Sequence, residues 1–527
     1  MRTFFSSGFL IVVGFILVSC RPAEEAPSML PTATVPPTTT EAATISPTST
    51  ATIVPAPAAT LTPMPTVQPT ETPLPIIRLS VPPEWLEWAE QAVEEYEQEQ
   101  RVVEIQVTDD EQAEIRLVRE DGAFVVKREP LVLTVPFTSE WQDISVNEAL
   151  VIMDEGHDQI KVMRWSEKPV GMRALRVDSH FAADDDYPFQ DIWSLQAAAG
   201  YEAVAEELLP ALQAASAMPL VHLAAVGDIM LDRSLGAALE NGYLAYPFAK
   251  TMEELRGADI TIGNVESALG DMGEPAGKRY PFRAPPQAAK AMALAGFDIV
   301  SLANNHAGDY GFEALLQAID LLEAQGIAPI GAGSNAQEAH AAHVTEVDGL
   351  KIAFFAYVDV PIEASTGFDT ASWTATSENP GIAWADPAMI SAGITAVHDE
   401  VDLVVVALHS GFEYQAAPSE PQTAAARAAV DAGADLVIGH HTHILQGIEF
   451  YGDGVIIYGT GNFAFEIDGP PETALFDIWL DKYGVRQIEI NPAVIQFGGQ
   501  PRLAESWEDA PILNQVYYLT NILNAQN

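Results

Sequence analysis

The sequence is poor in three things, and each shortage excludes something. There is a single cysteine, Cys20, so no intramolecular disulfide holds the chain and stability has to come from packing or bound metal. Basic side chains are few: 25 Lys and Arg stand against 74 Asp and Glu, a formal charge of -49. A field of that sign repels nucleic-acid phosphates and anionic lipid surfaces, which argues against nucleic acid as a partner, and it gathers divalent cations. Long apolar runs are absent apart from the one between Gly8 and Val18, behind Arg2. That run is too short for a stable membrane helix but has the length of a signal-peptide core.

The lone thiol closes this leader. Leu17-Val18-Ser19-Cys20 resembles a bacterial lipobox, which implies a signal peptide over 1–20 and a lipidated Cys20 as the mature N-terminus. An ordinary cleaved signal or a short anchor with a chance cysteine is the alternative. Residues 21–75 are dominated by Pro, Thr, Ala and Ser. Frequent proline removes backbone donors and favours extended geometry, so this stretch reads as a disordered linker.

Two folded regions are expected beyond it, as a chain of this length requires. In 76–219, PPEWLEWAEQAVEEYEQEQ has helical spacing and IRLV, FVVKREPLVLTVPF and EALVIM have strand character, giving a small accessory α/β module. It resembles weakly part of a periplasmic solute-binding-protein domain, and no motif in it fixes a ligand. From Val221 to about residue 500 the pattern becomes regular. Strand-like runs (VHLAAVGDIML, DITIGNVES, FDIVSLANNH, KIAFFAYVDV, DLVVVALHSG, DLVIGHHTH, GVIIYGTGNF) alternate with amphipathic helices such as GFEALLQAIDLLEAQG. This predicts a layered α/β domain with buried sheets and its functional residues at strand ends. Residues 501–527 are expected to be a C-terminal tail.

The strand ends carry the polar chemistry: Asp228, Asn264 with Glu266, Asn304-Asn305-His306, His409 with Glu413, and His440-His441-Thr442-His443. Taken singly, Asp228 reads as a turn, Asn264, Glu266 and Asn305 as caps, and His409 as a satisfied core histidine. Three histidines in four residues are hard to explain by packing. Ligand-type side chains after five successive buried strands point to a divalent metal site. Imidazole and carboxylate together suit Mn, Fe or Zn, and two ions about 3.5 to 4 Å apart activate water and neutralise phosphoryl charge. Arg233 is a candidate for binding an anionic substrate, with ordinary surface charge as the equal alternative; Lys278 and Arg279 read rather as surface charge.

VGDIMLDRSL, GNVES, SLANNHAGDYG, ALHSGFEYQ and GADLVIGHHTHILQGIEFYGDGVIIYGTGNF occur in an order that resembles the CapA-type poly-γ-glutamate capsule proteins, a branch of the calcineurin-like metallophosphoesterase superfamily. The resemblance implies a four-layer β-sandwich flanked by helices. It implies metal ligation by Asp228, Glu266, Asn305, His409, His441 and His443, with His306 as proton donor to the leaving group. It further implies an anionic polymer or phosphoester substrate, capsule synthase membrane subunits as partners, and a place outside the cytoplasm. Where many superfamily members have Asp-x-His, this chain has Asp228-Ile229-Met230, and a thioether is a poor ligand for hard ions. One metal or two therefore stays open, with Asn264, Glu413 or His440 as further candidate ligands. A non-catalytic role in binding or guiding polymer is the alternative to hydrolysis.

Overall fold

The computed structural model describes residues 74–99, 102–184, 186–363, 367–466 and 469–525. The expected signal peptide, Cys20 and nearly all of the linker lie outside these residues. No helix among the described residues is long and apolar enough to cross a membrane.

The unbroken apolar runs form strands buried on both faces, as expected of parallel strands covered by helices. All eight residues of Leu403–Ser410 and all five of Leu436–His440 are buried. They belong to a six-stranded sheet with spatial order His343–Val347, Leu350–Asp359, Leu403–Ser410, Leu436–His440, Gly454–Ile457, Ile448–Tyr451. A second sheet has eight strands. Ala328–Ile330, Ile299–Ser301, Ile260–Val265 and Val221–Met230 run parallel, and Glu472–Asp481, Gly484–Ile495 and Pro501–Leu503 continue it antiparallel. The short strand Asn462–Phe465 also lies alongside Val221–Met230.

Side-chain alternation shows how the layers stack. Ile352, Phe354, Ala356 and Val358 enter one core with Leu223, Ala225, Ile262 and Ile299 of the eight-stranded sheet. Their neighbours Ala353, Phe355 and Tyr357 face the other way, against Ile390 and Ile394 of helix Pro387–Val397 and Ala425, Ala426 and Ala429 of helix Glu420–Asp431. Helices Gln287–Ala295 and Gly311–Glu323 add Ala288, Met292, Leu315 and Leu322 to the first core. The fold is α/β, with two sheets face to face between helical layers.

Residues 76–197 build a separate seven-stranded sheet around Phe124–Pro136. This strand pairs with Gln190–Ala197 along its first half and with Lys161–Arg164 and Met172–Ala174 along its second. Each half serves its own core, one around Trp85 and Leu208, the other around Leu133, Trp165 and Phe181. The latter reaches the eight-stranded sheet. Phe181 lies 4.2 Å from Trp479, which stacks on His222 at 4.8 Å.

The last residues, expected as a tail, form helix Ser506–Asn524 with Ile512, Val516 and Tyr517 buried. Thr520 and Asn524 satisfy the open side of Ile448–Tyr451: Ile448 N donates to Thr520 Oγ1, Phe450 N to Asn524 Oδ1, and Asn524 Nδ2 to Ile448 O. The helix thus closes a sheet edge that would otherwise offer free backbone groups to another chain. We predict that Ile512→Ala lowers unfolding free energy by about 2–5 kcal/mol, read as a shift of the urea midpoint at unchanged slope. A loss under about 0.5 kcal/mol would mean the helix is not part of the cooperative fold.

Candidate metal centre

Asp228, Asn264, Glu266, Asn305, His306, His409, His440, His441 and His443 all come from the C-terminal ends of parallel strands or the turns just after them, the edge where α/β sheets carry ligands. Close approach of backbone at this edge needs small residues. A Cβ on Gly439 would lie 2.0 Å from Tyr458 O, so the strand leading into the histidine turn can carry only glycine there. His441 and His443 then adopt left-handed backbone, with φ of 84° and 57°. For non-glycine residues such conformations cost on the order of 1–3 kcal/mol each and concentrate at functional sites.

Two groups of candidate ligands result, Asp228–Glu266–His443 and Glu266–His409–His441, all buried, and Glu266 belongs to both. His443 Nδ1 lies 3.6 Å from Asp228 Oδ2 and 3.9 Å from Glu266 Oε2. His409 Nε2 lies 3.6 Å from Glu266 Oε1 and 2.6 Å from Asn305 Oδ1. His441 also fixes the carboxylate across the gap, its backbone N–H donating to Asp228 Oδ2 at 3.1 Å.

The three further candidates fall elsewhere. Asn264 Nδ2 donates to Asp228 Oδ1 at 2.8 Å, and its Oδ1 accepts from Asn304 Nδ2 at 3.1 Å, a row that orients Asp228 from behind. His440 Nδ1 lies 3.4 Å from Asp228 Oδ1 and 3.2 Å from Thr460 Oγ1. Glu413 is exposed and joins neither group.

His306 sits beside the ligands, stacked on Phe282 at 4.6 Å, with Nδ1 2.8 Å from Asp309 Oδ2. The expectation for Lys278 is corrected here. Its side chain is fully buried, 2.6 Å from Asp309 Oδ1, with Glu363 as a second ion partner and Asn305 O accepting at 2.9 Å. Two carboxylates and a carbonyl offset its desolvation, which is what a buried charge requires. Arg279 is exposed over Tyr280, and Arg233 is exposed with its guanidinium 5.0 Å from the centre of the Phe282 ring. Asp309 and Asn462, whose Oδ1 lies 2.7 Å from His443 Nδ1, escaped the sequence reading. Only Asp309 left a signal, three residues after His306.

Electrostatics separates these groups. Burial, then the charges of Asp228 and Glu413, push Glu266 well above the usual carboxylate range. Burial pushes Asp228 up too, but the hydrogen bond and charge of His440, with His409 and His443, outweigh it and hold this carboxyl low. Burial, then His441, lowers His409 well below an ordinary histidine, and burial with His443 lowers His441 to about 3. Neutral imidazoles with free lone pairs are the form that binds metal. Both Glu266 oxygens and His441 Nδ1 are buried without a hydrogen-bond partner. Buried carboxylates left this way are normally paired or ligate a cation, so the residues present fit one or two divalent ions with Glu266 between them.

Comparison with known proteins gives the family. The family model described as "Bacterial capsule synthesis protein PGA_cap" matches residues 222–467. The capsule biosynthesis protein CapA of Bacillus anthracis is 32% identical over 302 residues, 55% of this chain and 71% of that one. The PGA biosynthesis protein CapA of Bacillus subtilis (strain 168) is 31% identical over 272 residues, 51% of this chain and 70% of its own. Among solved structures, a hypothetical protein from Thermus thermophilus aligns with 51% of this chain and 98% of its own at 13% identity and a TM-score of 0.33, a level from which no functional argument follows. Since both CapA relatives exceed 30% identity and are matched over more than two thirds of their own length, the chain belongs to the PGA_cap family of bacterial capsule synthesis proteins.

Proposed function

We propose that this protein is a metal-dependent hydrolase of phosphoesterase type, held outside the cytoplasm by a lipid on Cys20, that serves synthesis or export of poly-γ-glutamate or a related capsule polymer. The observation that carries the reading is the pair of buried ligand groups sharing Glu266, whose two oxygens have no other partner. Asp228, Glu266 and His443 would hold one ion, and Glu266, Asn305, His409 and His441 the other; the mixed nitrogen and oxygen donors suit Mn, Fe or Zn. Such ions, when bound, make water nucleophilic near neutral pH and offset charge on a phosphoryl oxygen.

The chain's own residues supply the rest. With Nδ1 of His306 engaged by Asp309, Nε2 is left to hold the proton that a leaving oxygen needs. Arg233, above the ring on which His306 stacks and with Nη1 donating to Glu466 O at 2.8 Å, would meet an anionic group of the substrate. The capsule context and the membrane partners it brings rest on the family; the phosphoester chemistry rests on the ligand set.

Metal content by mass spectrometry and hydrolysis of a chromogenic phosphodiester, measured on the full chain, test this reading. Wild type should carry Mn, Fe or Zn at one to two ions per chain. His441→Ala/His443→Ala should lose metal and activity together, and Arg233→Ala should raise KM roughly tenfold, the cost of about 1.4 kcal/mol, with kcat nearly kept. A wild type that binds no metal and is not rescued by added ions sinks the enzyme reading and leaves polymer binding in front. Anchoring has its own test: Cys20→Ser should move the protein from the membrane to the soluble fraction, and retention on the membrane would refute the lipid.

A pH dependence follows for chelator-treated protein. His441 binds its proton less readily folded (about 3) than unfolded. Below an ordinary histidine pKa of about 6.5 the unfolded chain therefore holds the extra proton, and stability falls with falling pH. Glu266, raised on folding, acts in the opposite sense, so the difference between proteins is the useful quantity. Relative to His441→Gln, wild type should lose about 1.4 kcal/mol per pH unit between pH 6 and 5 in urea unfolding. Parallel curves would show that His441 is not held neutral.

A further inference from the structure

Two asparagines stand in the same relation to the two ligand groups. Asn305 Oδ1 lies 2.6 Å from His409 Nε2, and Asn462 Oδ1 lies 2.7 Å from His443 Nδ1. His409 belongs to the group with Glu266 and His441, and His443 to the group with Asp228 and Glu266. The His443 nitrogen that meets Asn462 is the same atom that approaches Asp228 Oδ2 and Glu266 Oε2 at 3.6 and 3.9 Å. The amide oxygen of Asn462 therefore borders the space those three side chains enclose.

The backbone is shaped to bring it there. Asn462 opens the strand beside Val221–Met230, and Asp228 and Asn462 are partners in register. Asp228 N donates to Gly461 O at 2.9 Å, and a Cβ on Gly227 would lie only 1.9 Å from that oxygen. Gly227-Asp228 and Gly461-Asn462 are thus two glycine-led steps pressed together, which sets an asparagine next to the aspartate. Asn462 is 1% exposed, and its Nδ2 is buried with no hydrogen-bond partner. An unmet buried amide group costs roughly 1–3 kcal/mol, so the side chain is held by its oxygen end.

Without it, the two groups are unequal. Glu266, His409, His441 and Asn305 offer four donors, whereas Asp228, Glu266 and His443 offer three. The other neighbours do not make up the difference: His440 meets Asp228 at Oδ1 and Thr460 at Oγ1, whereas His443 approaches Asp228 at Oδ2. Met230 shares a strand face with Asp228 but brings a thioether, a poor ligand for hard ions. Asn264 presents its NH2 to Asp228, and Glu413 is exposed.

We propose that Asn462 Oδ1 is the fourth protein ligand at the position formed by Asp228, Glu266 and His443, so that each ion takes one asparagine oxygen. This rests on the metal reading above. The opposing role is a positioning one, in which Asn462 only accepts a hydrogen bond from His443 Nδ1–H and holds the ring for ligation through Nε2.

Cobalt separates these roles, because its visible bands report the donor set directly. Full-length wild type, Asn462→Ala and Asn462→Asp, each checked for folding by circular dichroism, would be titrated with Co2+ by calorimetry and absorption. The expected result is two ions on wild type, loss of one or a hundredfold weaker binding of one on Asn462→Ala with altered bands, and two ions on Asn462→Asp. Two ions on Asn462→Ala with affinity within threefold, or weaker binding with unaltered bands, overturns the ligand assignment and leaves the metal reading standing. No ion on wild type overturns both. If wild type holds a single ion, its loss or altered bands in Asn462→Ala supports the assignment and unaltered binding refutes it. Should Asn462→Ala fail to fold, Asn462→Asp decides, since carboxylate ligation must change the bands.

Discussion

The arrangement depends on burying two carboxylates, Asp228 and Glu266, side by side with no solvent to reach them. Two like charges in a dry interior are among the costliest things a fold can contain. The surrounding groups reduce that cost only for Asp228, which collects the Asn264 amide, the His441 N–H and the nearby imidazoles. Glu266 is given no hydrogen bond and faces histidines that burial keeps neutral. Neutral imidazoles around a carboxylate with no hydrogen bond are a donor set that a divalent cation would complete.

That constraint explains features remote from the ligands. Asp228 comes from the eight-stranded sheet and His409, His441 and His443 from the six-stranded one or its turn, so the ligand sets span the two sheets, and their distances are fixed by how the sheets pack. Gly227 and Gly439 admit the close backbone contacts at this edge of the sheets. The left-handed conformations of His441 and His443 are strain that the packed sheets can hold. The buried Lys278 ties the Asn305-His306 turn to Asp309 and Glu363, which keeps one ligand and the candidate proton donor on a single rigid piece.

Much of this was legible in the sequence because buried parallel strands leave an unmistakable pattern, continuous Val, Ile and Leu ending abruptly in Asp, Asn, Glu or His. Asp228, Glu266, His409 and the histidine turn were all visible that way, and the alternation of strands with helices gave the layered α/β fold. What could not be read is what loops and distant segments do. Lys278 looked like surface charge because nothing local tells a lysine that Asp309 and Glu363 will fold around it. Asn462 sits in a short strand, and its importance comes from register with Asp228, 234 positions earlier by numbering. The C-terminal helix carries Pro511 and spreads its buried residues thinly, so its apolar stripe is faint, and its partner edge, Ile448–Tyr451, is known only once the sheet is assembled.

The overall charge bears on how such a site would meet its substrate. At -49 the protein repels a polyanion at long range, and several arginines are already committed: Arg486 to Asp481, Arg502 to Glu508, Arg427 to Glu449. The attraction that remains has to be short-ranged. It would come from cations held by the proposed ligand groups and from Arg233, which among the described residues has no carboxylate within ion-pair distance. Screening lengths of about 8 Å at physiological ionic strength make this workable, because the distant repulsion is lost in salt while contacts in a buried site are not. An acidic surface around the proposed centre therefore favours a polyanionic substrate that meets the site at short range over one drawn to it across dilute solution by long-range attraction.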